Sequence, residues 1–372
     1  MKRFRDFLSD RNIALWISGT VSFLSFLILY GIASLLSNRQ TSQQMAERWS
    51  EQKDVAQISC FFSPNAAMSP DRIESFRHAL DDALEQASIV QDSPNANARL
   101  WADAYSADGQ ITVSSERAKV TADAIGVGGD FFLFHPLQLL NGSYFSESDL
   151  NQDYCILDED AAWQLFGSNN VAGQIVTIGG VSHVVAGVVR REDGRLEEAA
   201  GLDSTVIYVS YNTLDTLGSN NGINHYEIVM PDPVSEYAYN YVKDNIGVTE
   251  KEVEVVENTT RYDFLKCLQV IADFGTRSMN GKAIIYPYWE NIARGYEDII
   301  AAITLVALLF LAYPVVLLVI FVIIRWKQKT WTAKGICLYL QDKGERKMED
   351  IREKRIRRKH HKERFDEEED LL

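Results

Sequence analysis

The sequence predicts an α+β membrane protein in which two transmembrane helices flank one large mixed domain. Three observations predict it. Two long stretches carry no charged residue, the remaining charges are segregated between the middle and the ends, and the middle reads as alternating strands and helices.

Ile13 to Leu36 and Ile299 to Ile324 contain no Asp, Glu, Lys or Arg. Each exceeds the roughly 20 apolar residues needed to cross a hydrocarbon core about 30 Å thick. A soluble cytosolic enzyme is therefore not expected. The first stretch could also be read as a secretory signal, because a basic segment precedes it. Its apolar run is longer than a signal core of about 15 residues and leaves through Ser37-Asn38-Arg39-Gln40 with no small-x-small cleavage site, which favours an uncleaved anchor.

The 372 residues include 37 Lys and Arg against 52 Asp and Glu, a formal net charge of −15. Residues 1–11 hold four basic and two acidic side chains, and residues 325–372 hold fifteen and eleven. The middle, 37–298, keeps 18 basic against 39 acidic ones. Basic residues near membrane ends stay on the cytoplasmic side. Lys2, Arg3, Arg5 and Arg11 before the first span, and Arg325, Lys327 and Lys329 after the second, thus put both termini inside and the acidic middle outside. The expected layout is a cytoplasmic N-terminus (1–12), a transmembrane helix (13–36), an extracytoplasmic domain (37–298), a second transmembrane helix (299–324) and a charged cytoplasmic tail (325–372).

Four cysteines in this length do not make a disulfide scaffold, and no C-x-x-C pair suggests zinc or redox chemistry. Cys60 and Cys155 each sit in a strand-like apolar run. Buried free thiols are the favoured reading, with a Cys60–Cys155 bridge as the alternative.

After a polar linker, Val55 to Phe62 predicts a buried strand. Ser69-Pro70-Asp71 supplies an N-cap, a proline at the first helical position and a first-turn acid. Ile73, Phe76, Leu80, Ala83, Leu84 and Ala87 then recur at helical spacing, predicting an amphipathic helix over 70–89. Leu100 to Tyr105 and Ile111 to Ser115 predict a hairpin turning at Ala107-Asp108-Gly109-Gln110, and Lys119 to Ile125 adds a strand. Tyr154 to Leu157 leads into a helix over 160–167 that stops at Gly167. Two further strands, 173–178 and 183–189, turn at Gly179-Gly180. Later come a strand over 225–230, a helix over 234–246, a short strand over 253–256 and a helix over 261–274, repeating the β-α-β plan of the first half. The segment Tyr286 to Asp298 is expected to run into the second span as one helix.

The order Gly142-Ser143-Tyr144-Phe145, then Ile156-Leu157-Asp158-Glu159 with Ala161-Ala162 and Leu165-Phe166-Gly167, then Gly173 with Val176, Ile178-Gly179-Gly180 and His183 to Val189, resembles the extracytoplasmic core domain of MacB and FtsX-like ABC transporter permeases. The resemblance covers about 55–291 and extends to Val206 to Leu214, which looks like the family's return strand. It implies an α/β porter-like subdomain built from the two ends of the domain and an inserted, mostly β subdomain at about 130–215. It also implies a place in the bacterial cell membrane, which the two apolar stretches are expected to cross twice, with both termini inside.

Family members usually have four transmembrane helices, whereas two are visible in this sequence. No Gly-x-x-x-x-Gly-Lys-Ser/Thr loop is present to cradle nucleotide phosphates, so the chain is expected to be non-enzymatic and its ATPase a separate subunit. The missing helix pair implies a homologous four-helix permease or self-oligomerisation. The tail segment carrying Lys334, Gly335, Ile336, Leu338, Leu340 and Gly344 loosely resembles the family's ATPase-docking helix. It reads equally as a juxtamembrane helix lying on anionic lipid. Tyr286, Trp289 and Tyr296 mark the candidate force-transmission segment, and Pro314 a candidate kink in the second span.

Nothing in the sequence assembles catalytic chemistry. His78, His135, His183 and His225 are scattered with no ligand spacing, and the acidic residues fall mostly in loops or on helix faces, so no cofactor and no metal is expected. The tail lacks the aromatic partners of a nucleic-acid patch. The acidic outer domain suits cationic peptides or divalent ions, though charge alone identifies no ligand, and an extracytoplasmic protein or peptide is the expected outer partner. Two further readings stay open: an envelope sensor or scaffold that keeps the fold without transport, and a membrane-tethered enzyme, which requires a buried polar cluster in the outer domain.

Overall fold

A computed structural model describes residues 10–50, 54–89, 98–149, 152–275, 283–327, 341, 343 and 345–349. The chain forms two compact units, one of Met1–Leu24 with Phe310–Leu372 and one of Ser25–Leu309.

The larger unit begins in helix α1 (Asp10–Ser37) and reaches strand β1 (Val55–Phe62), both at the predicted places, through a segment expected as a polar linker that instead holds the short helix α2 (Met45–Trp49). Helix α3 (Pro70–Gln86) ends slightly before the predicted 89. Ser69 takes the N-cap backbone position without a side-chain cap bond. Strand β2 (Ala102–Ser114) then pairs along its length with β3 (Lys119–Gly129). Here the predicted hairpin is replaced by one unbroken strand. Asp108 and Gly109 lie opposite Ile125 and Ala124 in its middle. Gly109 serves a close approach rather than a turn, since a Cβ there would lie 2.2 Å from the Ser219 carbonyl oxygen.

Beyond β3 come α4 (Phe131–Phe134), β4 (Leu139–Gly142), β5 (Tyr154–Asp158), α5 (Glu159–Phe166), β6 (Ile175–Ile178), β7 (Val181–Val189), α6 (Arg195–Ala199), β8 (Val206–Ser210), α7 (Tyr211–Leu217) and β9 (Ser219–Asn220). The expected strand over 206–214 stops at Ser210, whose hydroxyl accepts the Thr213 N–H and caps α7. Gly179 and Gly180 turn β6 into β7 with φ of 55° and 88°, the positive values a two-residue hairpin loop needs. The chain returns through β10 (His225–Pro231), α8 (Tyr237–Asn245), β11 (Val253–Glu257), α9 (Phe264–Asp273) and α10 (Tyr288–Lys327). Both α8 and α9 start about three residues later than the periodicity predicts; this leaves Arg261 in the turn before α9.

Two assemblies emerge. Strands β11, β1, β10 and β2 lie side by side, all antiparallel. With α3 after β1 and α8 after β10, this is a split β-α-β-β-α-β sheet whose second and third strands are separated by the inserted segment. One face is covered by Ile73, Phe76, Leu80 and Leu84 of α3 and Ala238 and Val242 of α8, packed on Ile58, Cys60, Tyr226 and Ile228. Burying each large apolar side chain contributes about 1.5–3 kcal/mol. In the second assembly β2, β3, β8, β5, β7 and β6 pair in turn, and β6 pairs back onto β2. This closed ring has its own core, including Val113, Leu157, Ile178, Val185 and Ile207. The porter-like sheet with an inserted β-rich part thus agrees with the expected fold class, and the ring draws on β2 and β3 as well as on later strands.

Cys60, Cys155 and Cys267 are free and buried, and burial pushes the Cys155 thiol up to about 12 and Cys60 higher still. The bridged alternative for Cys60 and Cys155 is therefore corrected.

In the smaller unit α1 and α10 pack through small and polar groups. The Ser18 and Tyr313 hydroxyls lie 2.8 Å apart, and the Ser22 hydroxyl donates to the Phe310 carbonyl at 2.7 Å. The Leu317 side chain comes within 3.3 Å of where a Cβ on Gly19 would stand, and Trp16 meets Phe321 edge-on. Such contacts hold apolar helices together where lipid removes the hydrophobic incentive. Both helices are long and apolar enough to cross a membrane.

Candidate functional site

The sheet face opposite α3 and α8 is built from alternate residues of buried strands, and beside the apolar Val55, Ala102, Ala104 and Val229 it carries a polar patch. Successive strand side chains point to opposite faces. Ala56, Ile58 and Cys60 of β1 therefore enter the apolar core while Gln57 and Ser59 face the other way, as do His225 and Glu227 of β10. Gln57, Ser59, His225 and Glu227 are all at most 1% exposed. His135, directly after α4, arrives over them and is 2% exposed.

The Glu227 carboxylate is the centre. Its Oε1 accepts hydrogen bonds from Gln57 Nε2 at 2.5 Å, Ser59 Oγ at 2.9 Å and Asn258 Nδ2 at 3.2 Å. Its Oε2 faces His135 Nε2 at 3.0 Å and His225 Nε2 at 3.7 Å. Burial by itself would raise this carboxyl, but the two imidazoles and the Gln57 amide outweigh it and hold it down at about 2. Burial pulls the His225 imidazole down to about 4, so it is neutral at neutral pH. Trp289, at the start of α10, lies on the His135 ring with centroids 4.4 Å apart, and Phe131 and Phe61 flank the two histidines.

Next to this cluster lies an ionic joint. Arg261 donates from both terminal nitrogens to the two oxygens of Glu290, at 2.7 and 2.8 Å, and also bonds Glu297, Gln43 and Asn258. Arg294 donates to Glu290 at 2.6 Å and to Glu254 of β11 at 2.7 Å. Glu290 is buried; desolvation would raise its carboxyl, yet the two guanidinium groups hold it below the usual carboxylate range. Tyr286 completes the joint by donating to Glu254 at 2.6 Å beneath the Arg294 guanidinium, 3.9 Å from its ring centroid. Oppositely charged residues four apart on one helix, Glu290 and Arg294, supply the local geometry.

Of the residues expected to transmit force, Tyr286 sits in this joint, Trp289 covers the histidine cluster, and Tyr296 packs at the edge of the same core. Pro314 lies inside α10, which continues through it. Lys334, Gly335, Ile336, Leu338, Leu340 and Gly344 lie outside the described residues. The expectation of scattered histidines is half right. His78 is exposed beside Glu74, and His183 is buried with both ring nitrogens bonded, to the Val181 carbonyl and the Thr213 hydroxyl. His135 and His225, by contrast, are brought together on Glu227, which corrects the reading that no histidines converge. The buried polar cluster required by an enzymatic reading is thus present. Sequence reasoning missed Gln57, Glu227, Arg261 and Glu290; the available signal was polar residues two apart in otherwise apolar strands for Gln57 and Glu227, and an opposite charge four residues on for Glu290.

A family profile described as MacB-like periplasmic core domain matches residues 26–249. Among relatives, the macrolide export ATP-binding/permease protein MacB of Chromobacterium violaceum is 32% identical over 96 residues, 25% of this chain and 14% of that protein. The protein of the same description from Agrobacterium fabrum is 31% identical over 107 residues, 28% of this chain and 16% of its own length. The matched stretches thus span less than a fifth of those relatives. Among solved structures, the extracellular domain of the noncanonic ABC-type transporter YknZ from Gram-positive bacteria aligns at 18% identity and a TM-score of 0.36, covering 54% of this chain and 99% of that one. The periplasmic region of MacB from Actinobacillus actinomycetemcomitans aligns at 20% identity and 0.36, covering 57% and 92%. With well over half of its residues matched by the profile, the chain belongs to the MacB-like periplasmic core domain family.

Proposed function

We propose that the chain is a non-enzymatic membrane subunit of an ABC transporter-type complex of the bacterial cell envelope, in which a separate ATPase moves the membrane helices and the outer domain passes that movement to an envelope protein or peptide. Both termini are inside and the domain 37–298 is outside. A homologous four-helix permease or a second copy of the chain completes the membrane part.

The observation that carries this reading is the buried joint of Arg261, Glu290 and Arg294. It fastens the first turns of α10 to β11 and to the turn before α9, and α10 itself continues as one helix to Lys327. Tilt of such a helix moves the strands attached to it, because buried, fully bonded ion pairs resist sliding. Pro314, which removes a helical hydrogen bond, is the bending point. The tail around Lys334, Gly335, Ile336, Leu338, Leu340 and Gly344 docks the ATPase.

The test is affinity purification of the full chain from native membranes. An ATPase that copurifies, and that is lost on deleting residues 327–344, supports the reading. Retained ATPase after that deletion sinks the docking segment, and the absence of any ATPase partner favours an envelope sensor instead.

A further inference from the structure

We propose that His135, His225 and Glu227 form a binding site for one divalent first-row transition-metal ion of the zinc class, held by two imidazole nitrogens and one carboxylate oxygen.

Three observations point there together. The ligand atoms converge: one from each residue lies within 4.8 Å of the others, with His135 Nε2 and His225 Nε2 at 3.0 and 3.7 Å from Glu227 Oε2. Zinc bonds of 2.0–2.1 Å in a tetrahedral shell place ligand atoms about 3.3 Å apart, between those two spacings. The same atoms are unsatisfied. The Nε2 atoms of both rings and Glu227 Oε2 are buried without a hydrogen-bond partner, the 3.0 Å approach lacking hydrogen-bond alignment. An isolated histidine–carboxylate ion pair would align one N–H on the oxygen and would leave no reason for a second imidazole to face it.

The surroundings are those of a metal site. Glu227 Oε1 is fully occupied by Gln57, Ser59 and Asn258, which leaves only Oε2 to bind. His225 Nδ1 faces the Ser106 hydroxyl at 3.5 Å, which turns Nε2 inward. Outer partners of this kind orient ligands and tune their basicity. Phe61, Phe131 and Trp289 wall the cluster with rings. Two imidazoles with one carboxylate suit zinc or its first-row neighbours and not calcium or magnesium, which take oxygen ligands. A cavity of about 350 Å³ bordered by His135, Gln43, Trp289 and Ile292 provides an approach.

The ion would tie the start of the inserted segment, at His135, to the strand that follows it, at His225 and Glu227, directly under Trp289 of α10. Three protein ligands leave a fourth position for water.

The experiment uses the full chain in detergent, stripped with a chelator and titrated with Co²⁺ and then Zn²⁺. One Co²⁺ per chain with the visible absorption of a four-coordinate site, displaced by Zn²⁺, is the expected result, together with a melting temperature raised by Zn²⁺. His225→Gln weakens binding by about 100-fold or more and removes the Zn²⁺-dependent shift; the surface control Glu198→Gln changes neither. Should the His225 variant fail to fold, X-ray absorption of the zinc-loaded wild-type chain decides. A nitrogen and oxygen shell at about 2.0–2.1 Å with imidazole scattering supports the site, and sulfur at about 2.3 Å overturns it. Absence of stoichiometric binding, or binding unchanged in folded His225→Gln, also overturns it.

Discussion

Arg261 meets Glu290 through two parallel hydrogen bonds, at 2.7 and 2.8 Å, with both side chains almost completely buried. Arg261 stands between β11 and α9, and Glu290 in the first turns of α10. The pair therefore joins the return half of the split sheet to the helix that enters the second apolar span. A bidentate guanidinium–carboxylate contact fixes orientation as well as distance, which a joint under load requires.

Removing one partner strands the other. Arg261→Leu leaves Glu290 with Arg294 alone and is expected to cost about 3–5 kcal/mol, read as a lowered unfolding midpoint of the full chain in detergent. The double variant Arg261→Leu with Glu290→Leu should lose clearly less than the sum of the two single variants, because the two most buried charges go together and only the more exposed Glu297 and Arg294 each lose a partner. Additive losses would show that the pair does not act as a unit.

The same joint makes stability pH-dependent. In the folded chain Glu290 titrates below its ordinary value because Arg261 and Arg294 outweigh its burial. The unfolded chain thus binds the proton first on acidification. The contribution of this group is complete above the unfolded carboxyl value of about 4.3 and is lost as pH falls below it. Melting temperatures from pH 7 downward should show wild type and Glu290→Gln well separated near neutrality and converging in acid. A constant separation would contradict the assignment.

Gly109 is expected to resist substitution for a reason unconnected with turns. The Cβ of Gly109→Ala would press on the Ser219 carbonyl oxygen and on Asn220, so β2 and β9 must separate or shift. A loss of about 1–3 kcal/mol follows from such overpacking, accompanied by faster amide exchange at residues 219–220. If exchange there is unchanged, the close approach is not the reason for the glycine.

Asp158 does two jobs at the end of β5. One oxygen accepts the Ala161 N–H at 2.6 Å and caps α5, while the other accepts the Val206 N–H at 2.9 Å. Asp158→Ala removes both and should cost about 2–4 kcal/mol. Asp158→Ser restores the cap alone and should recover part of that loss in the same unfolding measurement.

Much of this fold is legible because its signals are local. The Gly179-Gly180 hairpin, the α5 stop at Gly167 and the eight residues of β1 follow from turn chemistry and apolar runs. Asp108-Gly109 misleads because the pair is chemically a turn signal, and only its register with β3 and the approach of β9 reveal a strand interior. The candidate site is less legible for a related reason. His135 and His225 stand at opposite ends of the inserted segment, so no spacing rule links them until β10 and the end of α4 come together. What could be read was the alternation of Gln57 with Ser59 and of His225 with Glu227 in strands otherwise fully apolar. That alternation places polar groups on one buried face, where each needs a partner. Glu290 and Arg294, four apart on one helix, were the other readable signal.

The central claim is that ATPase-driven movement reaches the outer domain through the Arg261–Glu290 joint. Hydrogen–deuterium exchange on the assembly purified from native membranes tests it most directly, comparing the vanadate-trapped with the nucleotide-free state. The account predicts that amides of residues 254–263 and 288–297 change protection between the two states, and that Arg261→Leu abolishes the change in the outer domain while ATP hydrolysis persists. Identical exchange at both segments in an assembly that hydrolyses ATP would contradict it.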